Sequence, residues 1–425
     1  MARVVIVGGG IGGVAMAYDM KELAGKSHQV TLVSDSDTFH FVPSNPWVAV
    51  KWREPEDIQI KLEPHLSKKD IEFIPSALKE LIPDENRMVL ADGQEVNYDY
   101  LVIATGPRLA FDEITGLGPD GGFTHSVCHV DHAREAAKAW EKFIEAPGPI
   151  VIGAAQLASC FGPAYEYAFI VDTELRKRCI RDQVPITFVT PEPYIGHLGL
   201  GGVGDSKGMM ESALRERHIN WITNATIDSV EEGMMHVTEH DKEGNKTKQH
   251  DLPFNYSMVL PAFTGITPLL EIEGLVNPRG FIMIDKHQRN PKYTNIYAIG
   301  VSVAIPPVEQ TPIPTGAPKT GFMIESMAIS AAKNIDAELA GKQPTYEATW
   351  NAICLADMGD TGIAFVAIPQ IPPRNVTWIR SGKWVHYAKV AFEKYFLHKV
   401  RAGTTEPYLE RVALKTLGIL KLKDK

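Results

Sequence analysis

Four cysteines are the residues of this 425-residue chain best suited to covalent chemistry, and one of them stands in an unusual place. Cys160 directly follows Val151-Ile152-Gly153-Ala154-Ala155-Gln156-Leu157-Ala158-Ser159, a strand running into a glycine turn of the kind that, before a helix, cradles a phosphate. At the start of that helix the positive end of the dipole lowers a thiol pKa and stabilises the thiolate, so the placement predicts a reactive sulfur. The same turn is poorly made for a dinucleotide. It keeps only its first glycine, and Ala155 would crowd a pyrophosphate; the next strand ends at Thr190-Pro191 with no carboxylate for a ribose, Glu192 lying two residues on. The other cysteines are Cys128, Cys179 and Cys354; Cys179, within Arg176-Lys177-Arg178-Cys179-Ile180, reads as a packing residue. No pair has CxxC or zinc-finger spacing, so neither a metal site nor a disulfide scaffold is expected.

A fuller glycine loop opens the chain. Gly8-Gly9-Gly10-Ile11-Gly12-Gly13 lies between an apolar strand and a helix-forming stretch, and it fits the dinucleotide fingerprint. Gly8 turns the chain, Gly10 lets a pyrophosphate approach, Gly13 allows close packing, and the helix N-terminus meets the phosphate charge. Where an acidic residue is expected at the end of the second strand stand Ser34 and Asp35, so the ribose contact falls to a hydroxyl, to a shifted carboxylate, or to both.

The elements that must position these residues follow from periodicity. Residues 3–34 read as a βαβ unit, Val89 to Val96 as a strand pair turning at Asp92-Gly93, and Tyr100 to Ala104 as a buried strand ending at Thr105-Gly106-Pro107. From Phe111 the pattern restarts: a helix near Ala133 to Ile144, a strand Ile150 to Ile152, the Cys160 turn, and a strand Ile186 to Val189. An apolar strand, Ile296 to Ile299, then ends at Gly300, ahead of a Pro-rich loop and a helix from Thr320 to Ala340. The expected class is α/β: two Rossmann-like dinucleotide-binding domains and a C-terminal amphipathic-helix region. Residues 1–110 and 276–343 form the discontinuous first domain, 111–275 the second with Cys128 and Cys160, and 344–425 the tail region with Cys354.

The net charge of −9 conceals an asymmetry. From Arg374 to Lys425 there are 12 Lys/Arg and 4 Asp/Glu, an excess of +8, which leaves −17 on the rest. The basic tail interleaves its charges with Trp384, Phe392, Tyr395, Phe396, Leu397, Leu409, Leu417 and Leu420, a mixture that favours an anionic membrane surface over nucleic acid. Two helices are expected there, Trp384 to Val400 and Tyr408 to Leu422. In the first, Trp384, Ala388, Ala391, Phe392 and Tyr395 share one face, with His386, Lys389 and Glu393 on another. The N-terminus enters a strand at once, against a cleaved export signal, and no apolar run reaches the ~18 residues of a membrane span. A peripheral membrane protein is expected, its side of the membrane unspecified.

Taken together these segments resemble the sulfide:quinone oxidoreductases, membrane-surface flavoproteins with two dinucleotide-type domains. The resemblance runs nearly end to end. It is carried by the N-terminal glycine loop, Phe41-Val42-Pro43-Ser44-Asn45-Pro46-Trp47, Ala104-Thr105-Gly106-Pro107, Ala158-Ser159-Cys160-Phe161-Gly162-Pro163-Ala164-Tyr165-Glu166, Tyr194-Ile195-Gly196-His197, Gly316-Ala317-Pro318-Lys319-Thr320-Gly321 and the surroundings of Cys354. The Cys160 and Lys319 segments are specific to that family, whereas the glycine loop and Ala-Thr-Gly are shared more widely. One feature departs: the aspartate that often follows the late glycine of the FAD motif is Val301 here, after Gly300.

The resemblance implies FAD, held by Gly8, Gly9, Gly10, Gly12, Gly13, Ser34, Asp35, Val42, Pro43, Thr105, Gly106, Gly300, Lys319 and Gly321. It implies Cys160 and Cys354 as a redox pair, Cys354 facing the flavin and Cys160 carrying sulfur. Cys128 matches a third family cysteine, its role open between flavin attachment and sulfur release. Lys319 would set a positive charge at the flavin pyrimidine edge. His132, His197 and Glu166 are candidate proton carriers, and Phe392, Phe396 and Tyr408 candidate quinone contacts. The expected partners are sulfide, membrane quinone and the lipid surface, with no nucleic acid; association between copies is left open. Two other readings stand beside this one. A type II NADH:quinone dehydrogenase would need an intact second dinucleotide site, and a degenerate flavoprotein would act only as a membrane or partner-binding module.

Overall fold

In the computed structural model, which describes residues 1–406, 408–416 and 418–423, the opening apolar run forms the strand Arg3–Val7. Valine and isoleucine there are buried on both faces, as a parallel sheet covered by helices requires. Five parallel strands line up in the order Ile296–Ala298, Tyr100–Ile103, Arg3–Val7, Gln29–Val33, Glu72–Ile74. The late strand Ile296–Ala298 thus returns to the sheet that the N-terminus begins, pairing Ile296 with Leu101. The helix after the glycine loop, Ile11–Ala24, is buried along most of its length and packs against the helix Gly321–Leu339.

A second parallel sheet has the order Ile219–Ile222, Ile186–Val189, Ile150–Ala154, Tyr256–Leu260. An antiparallel sheet, Ala225–Glu231, Met234–His240 and Lys246–Pro253, is attached to it, and the short pair Arg108–Leu109 with Phe263–Thr264 marks where the chain crosses between the two halves. The strands Arg87–Leu90 and Glu95–Asn97 pair about the turn that holds Gly93 at φ +87°.

The region after residue 344 differs from its sequence reading. A three-stranded antiparallel sheet, Ala352–Asp357, Gly362–Ile368 and Val376–Ser381, precedes the helices, and Cys354 lies in its first strand opposite Phe365. The first tail helix spans Lys383–Ala402 and ends at Gly403 in the left-handed conformation, as a glycine stop does. The second is shorter than expected, Tyr408–Thr416, and residues 419–423 run alongside 347–351 instead. Leu417 and the side chain of Leu409 lie outside the described residues.

The Lys383–Ala402 helix buries three charged residues beside the apolar Val385, Phe396, Leu397 and Val400, and leaves aromatic residues outside. Its buried residues include Lys389, Glu393 and Lys399, while Trp384, Tyr387 and Phe392 are 49%, 70% and 41% exposed. Its inward charges are paired: Glu393 accepts from Ser44 Oγ (2.5 Å) and Arg53 Nε (3.1 Å). Buried charges persist only when so partnered. Among the described residues no helix is long and apolar enough to cross a membrane.

Candidate active site

The N-terminal loop is shaped by contact and left open by design of its glycines. A Cβ on Gly8 would fall 2.3 Å from Ala104 O, and one on Gly13 1.7 Å from Gly8 O, so neither position admits a side chain. Gly10, Gly106 and Gly321 instead face open space, with nothing within 4 Å of the Cβ each lacks. Gly9 abuts the Ser34 hydroxyl and Gly12 packs near Ile324 and Ile299. A cavity of about 330 Å³ adjoins the loop, lined in part by Gly8, Ser34, Asp35, Thr105 and Arg108. Two helices, Ile11–Ala24 and Gly321–Leu339, begin there without a side-chain cap, their N–H groups free for an anion. Gly300 holds φ +75° at the end of its strand, and the exposed Val42 and half-buried Pro43 open a short turn beside Asn45, whose Oδ1 is buried without a partner. Open backbone, two helix ends and an unsatisfied amide oxygen are what a flavin dinucleotide fits.

At the mouth of the Gly321–Leu339 helix, the half-buried Lys319 ammonium stands 4.8 Å from the Phe281 ring, and burial pulls its pKa down to about 8. It carries its charge below that pH.

Three thiols gather from distant segments. All four cysteines are free. Cys160, Cys354 and Cys128 are half-buried, and the charge of Cys128 is felt at Cys160 and that of Cys160 at Cys354. Here the sequence expectation for Cys160 fails. Phe161 caps the helix Gly162–Lys177, leaving Cys160 outside its first turn, and burial, then Cys128 and Glu166, push the thiol up to about 12. Burial and Cys160 likewise push Cys354 up to about 12, with Lys389 pulling the other way, and burial pushes Cys128 up to about 11 against a hydrogen bond with Ser126. These are protonated thiols at neutral pH, not ready thiolates.

The charge beside them comes from the tail helix. Lys389 makes an ion pair with Glu166 on the helix after Cys160, both side chains less than a tenth exposed. Burial raises the Glu166 pKa and Lys389 opposes the rise. Lys389 also lies 5.2 Å from the Trp47 ring, whose Nε1 donates to Asp357 Oδ2 (2.8 Å); His386 Nδ1 meets the other oxygen at 2.8 Å. Asp357 ends the strand that carries Cys354, so one polar network joins that strand, the tail helix and the Phe41–Trp47 segment. Sequence reasoning missed Lys389, Asp357 and His386 as site residues. A lysine and a histidine on the polar stripe of an amphipathic helix look solvated, and only the reversed orientation of that helix brings them inside.

Other candidates fall elsewhere. His197 is buried with Nδ1 accepting from Gly199 N (3.1 Å), which leaves Nε2 to donate to Glu309 at 2.8 Å; burial lowers its pKa. It orders the 196–202 loop, where a Cβ on Gly199 would meet Gly316 O at 2.4 Å. His132 neighbours Phe111, His129 and Asp120 rather than the thiols. Phe396 is buried against Phe41 and Phe39 (ring centroids 5.2 and 6.1 Å), and Phe392 adjoins both Phe41 and Phe396 at 5.9 Å. Tyr408 is 75% exposed and joins none of the ring contacts found among the described residues.

The turn before Cys160 is filled by the chain itself. Gln156 pairs with Ile227 N and O (3.1 Å each), Leu157 N donates to Pro314 O (2.8 Å) and Gly316 N to Ala158 O (2.9 Å). Glu192, the nearest carboxylate to the usual ribose position, is fully buried and accepts from Tyr165 Oη, Thr190 Oγ1 and Leu198 N. The Leu157 N–H and the Ala158 carbonyl at that turn are thus committed to residues 314–316, and Glu192 is engaged by three donors.

Two dinucleotide-type sheets, an open glycine loop on one and thiols on the other define the class. The chain belongs to the pyridine nucleotide-disulphide oxidoreductase family, whose pattern matches residues 2–319, and it is an FAD-dependent oxidoreductase. Within that family it is 43% identical over 415 residues to the sulfide-quinone reductase of Aquifex aeolicus (strain VF5), covering 97% of this chain and 94% of the relative. The crystal structure of the sulfide:quinone oxidoreductase from Aquifex aeolicus superposes with a TM-score of 0.95 at 42% identity, covering 100% of this chain and 97% of that one. NDH2 from Plasmodium falciparum in complex with NADH shares the fold alone, with a TM-score of 0.71 at 15% identity over 99% of this chain and 100% of that one.

Proposed function

We propose that the chain oxidises sulfide to zero-valent sulfur at Cys160 and Cys354 and passes two electrons through FAD to a membrane quinone. The observation that carries this reading is the convergence of Cys128, Cys160 and Cys354 beside the buried Glu166–Lys389 pair.

The charges support a division of labour between the sulfurs. Cys354 feels the Lys389 ammonium, whereas Cys160 feels Cys128 and Glu166. Starting from a Cys160–Cys354 disulfide, hydrosulfide attacks Cys160 Sγ. A new S–S bond forms there as a persulfide, and Cys354 leaves with the electron pair of the broken bond, as a thiolate that Lys389 stabilises. Loss of the persulfide proton and of two electrons then joins the two cysteines through the added sulfur, which is now zero-valent. Bound FAD supplies the two-electron acceptor and its exit toward quinone. Gly8 to Gly13, Ser34, Asp35, Thr105, Gly106, Gly300 and Gly321 would hold it, with Lys319 contributing positive charge. Glu166, paired and buried, is positioned to take up the proton.

Anaerobic mixing tests the reading against its rivals. Sulfide is expected to bleach the flavin within the dead time to seconds, and NADH to leave it oxidised, because Leu157 and Ala158 of the second turn are bonded to Pro314 and Gly316 and Ala155 crowds a pyrophosphate. Bleaching by NADH alone would sink this function in favour of an NADH dehydrogenase; bleaching by neither would favour a binding module.

The outward aromatic face of the Lys383–Ala402 helix supports a lipid-facing role, beside the exposed Trp378 and the basic residues of the tail. Phe392, 41% exposed and packed on the buried Phe41 and Phe396 rings, offers a quinone an apolar contact there. Trp384→Ser with Tyr387→Ser is expected to weaken binding to anionic vesicles by tenfold or more, at roughly 1.5–3 kcal/mol per large apolar side chain, in a flotation assay; unchanged flotation would remove the tail from the membrane.

A further inference from the structure

The end of the chain reaches back to the chemistry. Residues 419–423 lie along 347–351: Thr349 N donates to Lys421 O (3.3 Å), Thr349 Oγ1 and Asn351 Nδ2 donate to Leu420 O (2.6 and 3.4 Å), and Lys423 N donates to Glu347 O (3.0 Å). Ser326, in the second turn of the Gly321–Leu339 helix, donates to the same Lys421 carbonyl. The Lys421 ammonium closes a buried ring of alternating charge. It pairs with Glu325 and Glu410 at 3.0 Å each, and Lys399 pairs with the same two carboxylates at 2.8 and 2.9 Å. Four ionic groups so little exposed hold their geometry only as a set.

Two short segments are tied down by this strap. One is 349–351, three residues ahead of Cys354; the other is the start of the Gly321–Leu339 helix, directly after Lys319. They also meet each other, since Thr320 Oγ1 donates to Asn351 O (3.4 Å) and Gln370 links Trp350 O (2.5 Å) to Pro318 O (2.6 Å). The strap therefore holds both the segment that leads into Cys354 and the first two turns of the helix that follows Lys319, and through Lys399 and Glu410 it is bolted to both tail helices.

We propose that Lys421 is a positioning residue for the thiol–flavin step: with residues 419–423 it sets the placement of Cys354 relative to the Lys319 loop and ties that placement to the seating of the tail helices. The inference rests on the sulfide-oxidising reading for its kinetic consequence but not for its geometry.

The test compares FAD-loaded wild type with Lys421→Met, Lys421→Arg and the charge-balanced Glu410→Gln/Lys421→Met. The double variant removes one cation and one anion together, so it keeps the test alive should the single variant fail to fold. Two quantities are read: in protein whose cysteines have first been reduced, the iodoacetamide alkylation rate of Cys354 against that of Cys160, mapped on peptides; and, in oxidised protein, the sulfide-driven bleaching rate at saturating sulfide. Both Met variants are expected to change the Cys354 rate severalfold with Cys160 little affected, and to slow bleaching on the order of 10- to 100-fold with KM for sulfide within about twofold. Lys421→Arg is expected to restore both. Equal alkylation changes at both cysteines, or none at Cys354, would overturn the proposal. If wild type were not bleached by sulfide, the proposed function would fall while the alkylation comparison still decided the positioning role.

Discussion

Cys354→Ser, in FAD-loaded protein, is expected to abolish sulfide-driven flavin bleaching, with a loss on the order of 10³-fold or more and no change in FAD content. Cys160→Ser should do the same, because on the proposed mechanism either change removes the disulfide that hydrosulfide attacks. The double variant should be no worse than either single one, since residues acting as a unit are not additive. The two singles should differ in one respect. Mass spectrometry after sulfide treatment should find a persulfide adduct on Cys160 in the Cys354→Ser protein when an external oxidant is supplied, and none on Cys354 in the Cys160→Ser protein. Rapid-mixing absorbance and intact-protein mass together check this; full bleaching activity in either serine variant would remove the pair from the mechanism.

Lys389→Met has the second largest expected effect, and it is felt twice. With its partner gone, the Glu166 carboxylate is left buried beside two thiols, a loss of about 3–5 kcal/mol of stability for breaking a buried pair from one side. Adding Glu166→Gln should recover most of that stability, read as the urea midpoint of the holoprotein. It should not recover the rate. The Cys354 thiolate would still lack the ammonium that stabilises it, so sulfide-driven bleaching should stay slowed by roughly tenfold or more, as expected for the loss of one preorganised charge. Rate and stability recovering together would mean that Lys389 serves only the fold.

Much of the architecture was legible because parallel sheets announce themselves. Val4 to Val7, Leu101 to Ile103 and Ile150 to Ile152 are short apolar runs ended by glycine or small-residue turns, and the return of Ile296–Ala298 to the first sheet could be placed by the same pattern. The sheet bearing Cys354 was not seen. Four successive residues of its first strand, Ile353 to Ala356, are all half-buried, so no alternation marks it. Cys160 was legible as a singular residue but not as a poised one, since proximity in sequence to a helix start says nothing of burial or of the two groups, Cys128 and Glu166, that other segments bring to it. Lys389 illustrates the deeper limit: periodicity finds the two faces of a helix but does not say which one turns inward.

That last point has a practical side. In the Lys383–Ala402 helix, Lys389, Glu393 and Lys399 face the body together with Val385, Phe396, Leu397 and Val400, while Trp384 and Tyr387 stand outside, 49% and 70% exposed. The outer and inner faces of this helix are therefore separately adjustable. A polar residue at Trp384 or Tyr387 is expected to leave the fold in place, while a single uncharged residue at Lys389 would strip the buried Glu166 carboxylate of its partner.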